Sequence, residues 1–175
     1  MSKLEYAIWM SILNIIPIKK YRLFQKMGSF QAIYEAKKEE YLAIEGIDLL
    51  DLHELDSMKE KEEIQKYAHY IHENQIQVIT IEEERYPAKL KSIYDPPLVL
   101  LAKGNLDLLS KNAIAIVGSR MSDQYGNKEA YEMAKELASY DICVISGFAK
   151  GIDSMAHLGA IRRCGNTIAI LRMWA

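Results

Sequence analysis

The sequence predicts an α/β protein in which a small helical bundle precedes an incomplete Rossmann-like domain with a parallel sheet. Two observations lead to this prediction. Apolar residues recur at helical spacing over residues 1–75. Short β-branched runs then alternate with helix-length segments over residues 76–175, as they do in successive βαβ units. We therefore predict two domains, 1–75 and 76–175.

The N-terminal domain carries two helical stripes of apolar residues. They are Leu4, Ile8, Ile12 and Ile15, and Ile64, Tyr67, Ala68 and Ile71. Pro17 is expected to stop the first helix, and Gly28 with Ser29 to open another. Gly46 marks a tight turn before a helix over residues 48–56. These breaks predict a bundle of short helices.

The turn at Gly46 allows two interpretations. The segment 42–47 resembles the hairpin of helix-hairpin-helix and sterile-alpha-motif-like (SAM-like) modules, where a glycine between helices brings backbone amides close to a phosphate. The alternative, which we favour, is a glycine helix cap with Ile44 and Ile47 in the core.

The C-terminal domain begins with two strands, at 76–81 and 98–101, that proline-rich turns join. A regular alternation follows: strand 113–117, helix 124–140, strand 142–145, helix 152–164 and strand 167–171. Such an alternation predicts a parallel sheet with helices covering both faces.

The charge, hydropathy and cysteine content of the chain limit the classes of protein to which it can belong. The net charge is −2, yet basic residues outnumber acidic ones over residues 111–175, which permits a polyanion there. Neither a long apolar run nor a secretory signal occurs, so we predict a cytoplasmic protein without a membrane segment. Cys143 and Cys164 lie outside any metal-binding pattern and are predicted to be structural thiols. No metal and no cofactor is predicted.

Two loops follow the first two parallel strands, where ligands of such sheets bind. Glycine allows close backbone approach there, and helix N-termini present N–H groups to anions. Arg120 offers a planar fork for phosphate, Lys150 a point charge and Phe148 a ring for stacking on a base. The predicted phosphate- or DNA-binding residues are Gly118, Ser119, Arg120, Ser146, Gly147, Phe148, Lys150 and Gly151. Neither a dinucleotide fingerprint nor a Walker A loop is present.

Four further side chains have two interpretations each. Asp153 and His157, four apart on one helix, could serve acid/base chemistry or a metal. We favour structural roles, with Asp153 accepting backbone N–H bonds at the helix start and His157 contacting loop or sheet backbone. Tyr86 and Tyr125 could stack on bases or pack in the core. No nucleophile–base pair is visible, so no catalysis is predicted.

Taken together, several motifs closely resemble the bacterial DNA-processing protein A (DprA, or Smf) family. They are Tyr86-Pro87, Asp95-Pro96-Pro97, Lys103-Gly104, Ala115 to Arg120, Tyr125-Gly126, Ser146 to Asp153, Ala156-His157 and Gly165 to Ala169. The likeness is specific over residues 76–171 and looser over 1–75, where the family often carries a SAM-like domain. It implies a protein that binds single-stranded DNA, protects it during natural transformation and loads the RecA recombinase. It also implies that Gly118, Ser119, Arg120, Ser146, Gly147 and Lys150 line the DNA pocket, with no enzymatic activity.

The chain departs from the family after Leu171, where a member would continue with a glycine-rich loop and further strands. One inserted base converts Gly-Cys-Gly-Leu codons into Arg172-Met173-Trp174-Ala175, so we interpret 172–175 as an out-of-frame tail. Self-association and much of the RecA contact are implied to depend on the later part. Two alternatives therefore stay open: an inactive fragment, and a nucleotide-handling enzyme related to lysine-decarboxylase-like phosphoribohydrolases, although their Pro-Gly-Gly-rich loop is absent.

Overall fold

A computed structural model describes residues 1–163 and 165–171 of the protein. They form two compact units, which divide after Gly104 and are called unit 1 and unit 2. Unit 1 contains α1 (Lys3–Ile12), α2 (Pro17–Met27), α3 (Phe30–Glu35), α4 (Lys38–Leu42), α5 (Leu49–Ser57), α6 (Lys61–Glu73), β1 (Gln77–Thr80), α7 (Ala88–Lys91) and β2 (Val99–Ala102). Unit 2 contains a 3₁₀ helix (Leu106–Ser110), β3 (Ala113–Ala115), α8 (Gln124–Ser139), β4 (Cys143–Ser146), α9 (Ile152–Arg162) and β5 (Thr167–Ala169). The predicted fold class is confirmed.

Helix α1 is the centre of unit 1. Ser2 caps its start, accepting from the Glu5 N–H while the Glu5 carboxylate accepts from Ser2. Residues 6–10 are all buried, because α3, α6, β1 and β2 pack around the helix. The apolar stripe predicted for this helix therefore describes its burial only in part. Ile8 of the stripe is fully buried, whereas Leu4 is 50% exposed.

The domain boundary differs from the one predicted near residue 76. Strands β1 and β2 pair antiparallel, with Ile79 opposite Leu100, and both contact α1. Their apolar faces complete the core of the helical unit, which places the division after Gly104 instead.

The breaks between helices were predicted with mixed success. Helix α1 ends at Ile12, and Pro17 opens α2 at its first position, where a missing N–H costs nothing. Gly28 caps α2 in the left-handed region at φ 81°, and Ser29 then caps α3 by accepting from the Ala32 N–H. Proline here starts a helix rather than stopping one.

At the turn around Gly46, the packing agrees with the interpretation that we favour, but the position of the helix cap does not. Ile44 and Ile47 are buried, while α4 ends at Leu42 with Ala43 as its cap. Gly46 lies further along, with φ 88°. It is therefore a turn glycine between two core isoleucines and not the helix cap itself.

Unit 2 is built on a parallel sheet in the order β3-β4-β5. Ile116 and Val144 pack with Ala130 and Ala134 of α8 and with Ala156 and Ala160 of α9. Both helices thus cover one face, contrary to the prediction of helices on both. The reason is the strand order. When each new strand is added on the same edge of the sheet, successive right-handed crossovers place their helices on the same face.

Cys143 is fully buried, as expected of a structural thiol, and burial raises its pKa. Cys164 and the proposed tail 172–175 lie outside the described residues. Throughout 1–163 and 165–171, no helix combines the length and apolar character that a membrane span requires.

Candidate nucleic-acid interface

Two loops leave the parallel sheet side by side. The first loop (116–122) follows β3 and the second loop (147–151) follows β4. Because β3 and β4 pair in parallel, with Ala115 opposite Ile145, both loops leave the sheet at its carboxyl edge. The predicted loop residues are solvent-exposed except Gly151, which is half-buried.

The two loops are in direct contact. The Ile152 N–H, at the start of α9, donates to the Ser119 carbonyl oxygen at 3.2 Å. A Cβ on Gly151 would overlap that same oxygen and would lie 2.8 Å from the Ser122 hydroxyl oxygen. Gly151 also has φ 78°, which favours glycine. The structure therefore brings the predicted residues Ser119 and Gly151 together.

Gly118 supports the same junction from the other side. A Cβ there would lie 2.7 Å from Cγ1 of Ile152. The sequence suggested that this glycine admits a ligand. In the structure, it also admits the first side chain of α9.

Asp153 holds the second loop in shape. Its carboxylate is buried and accepts from the Gly147 N–H at 3.1 Å and the Ala149 N–H at 3.4 Å. The predicted structural role of Asp153 is confirmed. Since its N–H is already bonded, Gly147 contributes shape rather than an amide donor to a bound phosphate.

Ser146 does not offer its hydroxyl to the surface. The side chain is buried, and Oγ donates to the Ile116 carbonyl at 2.7 Å. Ser146 was predicted among the ligand-binding residues, but its hydroxyl bonds the end of β4 to the first residue of the first loop. Ser119 remains in the first loop as an exposed hydroxyl, which accepts from the Met121 N–H at 3.0 Å and keeps its own proton to donate.

Positive charge collects at this edge. Arg120 and Lys150 are exposed, and neither forms an ion pair with any residue that the structure describes. Helix α9 starts at the second loop with Gly151 as its cap and no capping side chain. Because the Asp153 carboxylate in its first turn offsets the positive end of its dipole, the positive charge of this edge comes from Arg120 and Lys150.

Phe148 presents an aromatic ring beside these cations. The side chain is 66% exposed, and its backbone has φ 56°, a left-handed conformation that costs a non-glycine residue about 1–2 kcal/mol. Its ring centroid lies 5.6 Å from that of His157. The loop thus holds the ring outward at the expense of backbone strain.

His157 packs against the ring of Phe148 on its buried side. It is buried, with Nδ1 2.7 Å from Oγ1 of Thr167, which donates to the Val144 carbonyl at 2.8 Å. The hydroxyl proton is thereby used, so Nδ1 carries the proton and donates to Thr167. Nε2 has no partner among the described atoms, and burial lowers the pKa of the ring. The contact between His157 and Phe148 was not predictable from the sequence, because it depends on the path of the loop.

The two tyrosines that could either stack on bases or pack in the core, Tyr86 and Tyr125, differ in burial. Tyr86 is buried and its hydroxyl donates to the Pro97 carbonyl at 2.6 Å, so it is a core residue; burial raises its pKa to about 12. Tyr125 is 73% exposed in the first turn of α8. Within 1–163 and 165–171, no group of three His, Cys, Asp or Glu side chains is placed to hold a metal ion.

Comparison with known proteins gives consistent matches. Residues 77–173 match the family described as DNA recombination-mediator protein A. DNA processing protein DprA of Bacillus subtilis is 44% identical over 100 residues, which is 57% of this chain and 34% of that protein. Protein Smf of Borreliella burgdorferi is 31% identical over 153 residues, which is 87% of this chain and 48% of that protein.

A solved structure extends the likeness to nearly the whole chain. The X-ray structure of DNA processing protein A from Streptococcus pneumoniae aligns with a TM-score of 0.74 at 26% identity. The alignment covers 98% of this chain and 58% of that one. The chain thus spans about half the length, or less, of the Bacillus subtilis and Borreliella burgdorferi proteins.

Proposed function

The chain belongs to the DNA recombination-mediator protein A family, the family of DprA and Smf, and from this premise we propose that it binds single-stranded DNA. The first loop and the second loop form the binding edge. The observation that carries the proposal is their junction, in which the Ile152 N–H bonds to Ser119 and places two exposed cation-bearing loops against each other.

Each part of the edge suits one part of a nucleotide chain. Arg120 and Lys150 contact phosphates, while Phe148 and Tyr125 offer ring faces to bases. Stacking requires a base whose face is free. An unpaired strand offers such faces along its length, which favours single-stranded over duplex DNA.

The test is a fluorescence titration of labelled oligo(dT) against the 175-residue chain at two salt concentrations. Each phosphate contact contributes about 0.7 to the slope of log affinity against log salt, so Arg120→Ala and Lys150→Ala should each weaken binding and flatten that slope. Phe148→Ala should weaken binding by about 1–3 kcal/mol with the slope unchanged.

Arg162→Ala is the matched control, since it removes one exposed positive charge from the far end of α9. If Arg120→Ala and Lys150→Ala bind like this control, the two loops are not the binding edge. The same samples incubated with AMP address the enzymatic alternative, which release of free adenine would favour.

The role in natural transformation and the loading of RecA stay proposals drawn from the family. The same holds for self-association and for the absence of catalysis. A chain that spans about half the length of its relatives provides the DNA-binding edge for such a role. A RecA strand-exchange assay on oligo(dT)-containing substrate, with and without the chain, measures whether it also assists the recombinase.

A further inference from the structure

Met121 in the first loop has the most exposed large apolar side chain in the part of the chain that the structure describes. It is 94% exposed, compared with 81% for Leu50, which comes next. The sequence did not place it among the binding residues. Single exposed apolar side chains are common on protein surfaces, so the role of Met121 depends on what surrounds it.

The loop backbone on both sides of Met121 is restrained. The Met121 N–H donates to Oγ of Ser119 at 3.0 Å, and Oγ of Ser122 donates to Oδ1 of Asn127 at 2.6 Å. Ser122 also lies against Gly151, where an added Cβ would be 2.8 Å from Oγ. The side chain of Met121 is nevertheless left to the solvent. A ligand that touches it would therefore have little of the loop to order on binding.

Met121 belongs to a group of exposed apolar side chains at this edge of unit 2. Each is at least 66% exposed; they are Val117, Met121, Tyr125 and Phe148. The segments that carry them meet at Ile152, the first residue of α9. A Cβ on Gly118 would lie 2.7 Å from its side chain, and a Cβ on Gly126 would lie 3.3 Å from it. The first loop, the start of α8 and the start of α9 thus converge beside Arg120 and Lys150.

Apolar side chains next to cations suit a nucleotide, which joins a charged phosphate to a base with an apolar face. The thioether of methionine is polarisable and packs favourably against aromatic rings. Methionine is also one of the side chains that proteins insert between neighbouring bases. We propose that Met121 contacts the face of a base in bound single-stranded DNA, in addition to Phe148 and Tyr125. DNA must bind at this edge for Met121 to act in this way, so the inference rests on the proposed function.

The sulfur atom gives this contact a chemistry that an aromatic ring lacks. Hydrogen peroxide transfers one oxygen atom to the thioether: the O–O bond breaks, an S–O bond forms, sulfur loses two electrons and the peroxide is reduced to water. The resulting sulfoxide is polar, and placing it against a base face costs desolvation. Because Met121 is open to the solvent, peroxide reaches it readily and weakens DNA binding.

The first measurement titrates labelled oligo(dT) against the full chain and its Met121 variants. Met121→Ala should weaken binding about two- to tenfold, because the contact between the thioether and the base is lost. Met121→Leu retains an apolar side chain of similar volume and should stay within about threefold of wild type. Neither variant alters a charge, so the slope of log affinity against log salt should not change. Met133→Ala, at a 54% exposed position on α8, is the control and should bind like wild type.

An oligomer of abasic nucleotides distinguishes a base contact from a backbone contact. It keeps the sugars and phosphates but offers no base face, so wild type and Met121→Ala should bind it with equal affinity. Weaker binding of the abasic oligomer by Met121→Ala would place the side chain on the sugar-phosphate chain and overturn the proposal.

Treatment with hydrogen peroxide tests the role of the sulfur, with the sulfoxide at each methionine measured by peptide mass spectrometry. Oxidised wild type should bind oligo(dT) at least as weakly as untreated Met121→Ala, whereas treated Met121→Leu should keep its affinity. Treated Met133→Leu should lose affinity as wild type does. An equal loss in Met121→Leu would mean that oxidation acts at another residue.

The outcomes separate this inference from the proposed function. If Arg120→Ala weakens oligo(dT) binding but Met121→Ala does not, the two loops bind DNA without Met121, and only the inference fails. If wild type does not bind oligo(dT), both fail together. Urea unfolding should give the same midpoint for wild type and Met121→Ala, since the side chain is not part of the core.

Discussion

His157 couples the exposed edge of unit 2 to its interior. One nitrogen is fixed by Thr167, the other has no partner among the described atoms, and the ring lies against Phe148. Protonation would place a charge on a buried ring whose Nδ1 already serves as a donor. The neutral form is therefore favoured in the folded protein, and its pKa is lowered chiefly by burial, although the nearby Asp153 opposes the shift.

A pH dependence of stability follows from this shift. The ordinary pKa of 6.5 applies to the unfolded chain and a lower one to the folded chain, so the unfolded state binds the proton first as the pH falls. The contribution of His157 is thus complete above pH 6.5 and is lost below it. Urea unfolding of wild type and His157→Gln at pH 8 and pH 5.5 should show the larger loss in wild type. Equal losses would mean that His157 does not resist protonation.

Single residues were predictable where local chemistry decides their role. Asp153 at a helix start and the exposed Arg120 were predicted correctly in position. Tyr86 and Tyr125 were not separable in the sequence, because the burial of Tyr86 depends on Pro97 across a turn. The buried role of Ser146 was not predictable for the same reason, because its partner Ile116 lies thirty residues earlier, in the first loop.

At the level of elements, the start of α9 organises both loops. Its first N–H bonds to Ser119, its first side chain packs on Gly118, and its second side chain, Asp153, holds Gly147. The helix therefore positions the loop before it and also the loop that follows the neighbouring strand. Only glycine at position 151 allows that approach.

Gly151→Ala should separate the loops. The new Cβ overlaps the Ser119 carbonyl and stands at φ 78°, so the variant combines backbone strain with a steric clash. Gly28→Ala is the control, because φ is 81° there but no atom lies within 4 Å. We expect a loss of about 1–2 kcal/mol for the control and about 1–3 kcal/mol more for Gly151→Ala, measured by urea unfolding. Oligo(dT) binding should fall only in Gly151→Ala; unchanged binding there would refute the importance of the loop contact.

The elements of unit 2 were predicted closely. The observed α8 and β4 begin and end within a residue of the predicted ones, because each is a clear apolar pattern bounded by turn residues. The side on which the helices pack was missed, as it follows from strand order. In unit 1, the four-residue α7 was missed and the five-residue α4 was predicted without bounds, since such short segments carry too little pattern to identify.

For the whole molecule, the division after Gly104 separates the helical core from the two loops of the parallel sheet. The largest fully buried side chains of unit 1 include Trp9, Tyr41 and Ile79. Because Ile79 belongs to β1, the helices alone lack part of their core. The contribution of β1 to this core was not predictable from the sequence. The apolar pattern changes from helical to strand-like at residue 76, whereas β1 packs on α1, about seventy residues earlier in the chain.

Two fragments test the division. Residues 1–104 should unfold cooperatively in urea, followed by the fluorescence of the buried Trp9, and should not bind oligo(dT), since both loops lie beyond it. Residues 1–75, which end before β1 and β2, should give a broad, non-cooperative transition. Cooperative unfolding of the 1–75 fragment would instead support a domain boundary near residue 76.

The order β3-β4-β5 in unit 2 has a consequence for how the chain acquires its structure. Each strand pairs with the one synthesised immediately before it, so each βαβ step can close while the next segment is still emerging from the ribosome. Contacts of short sequence separation favour rapid folding. The loop junction joins the first of these steps to the start of α9, so it can form before β5 has paired with β4.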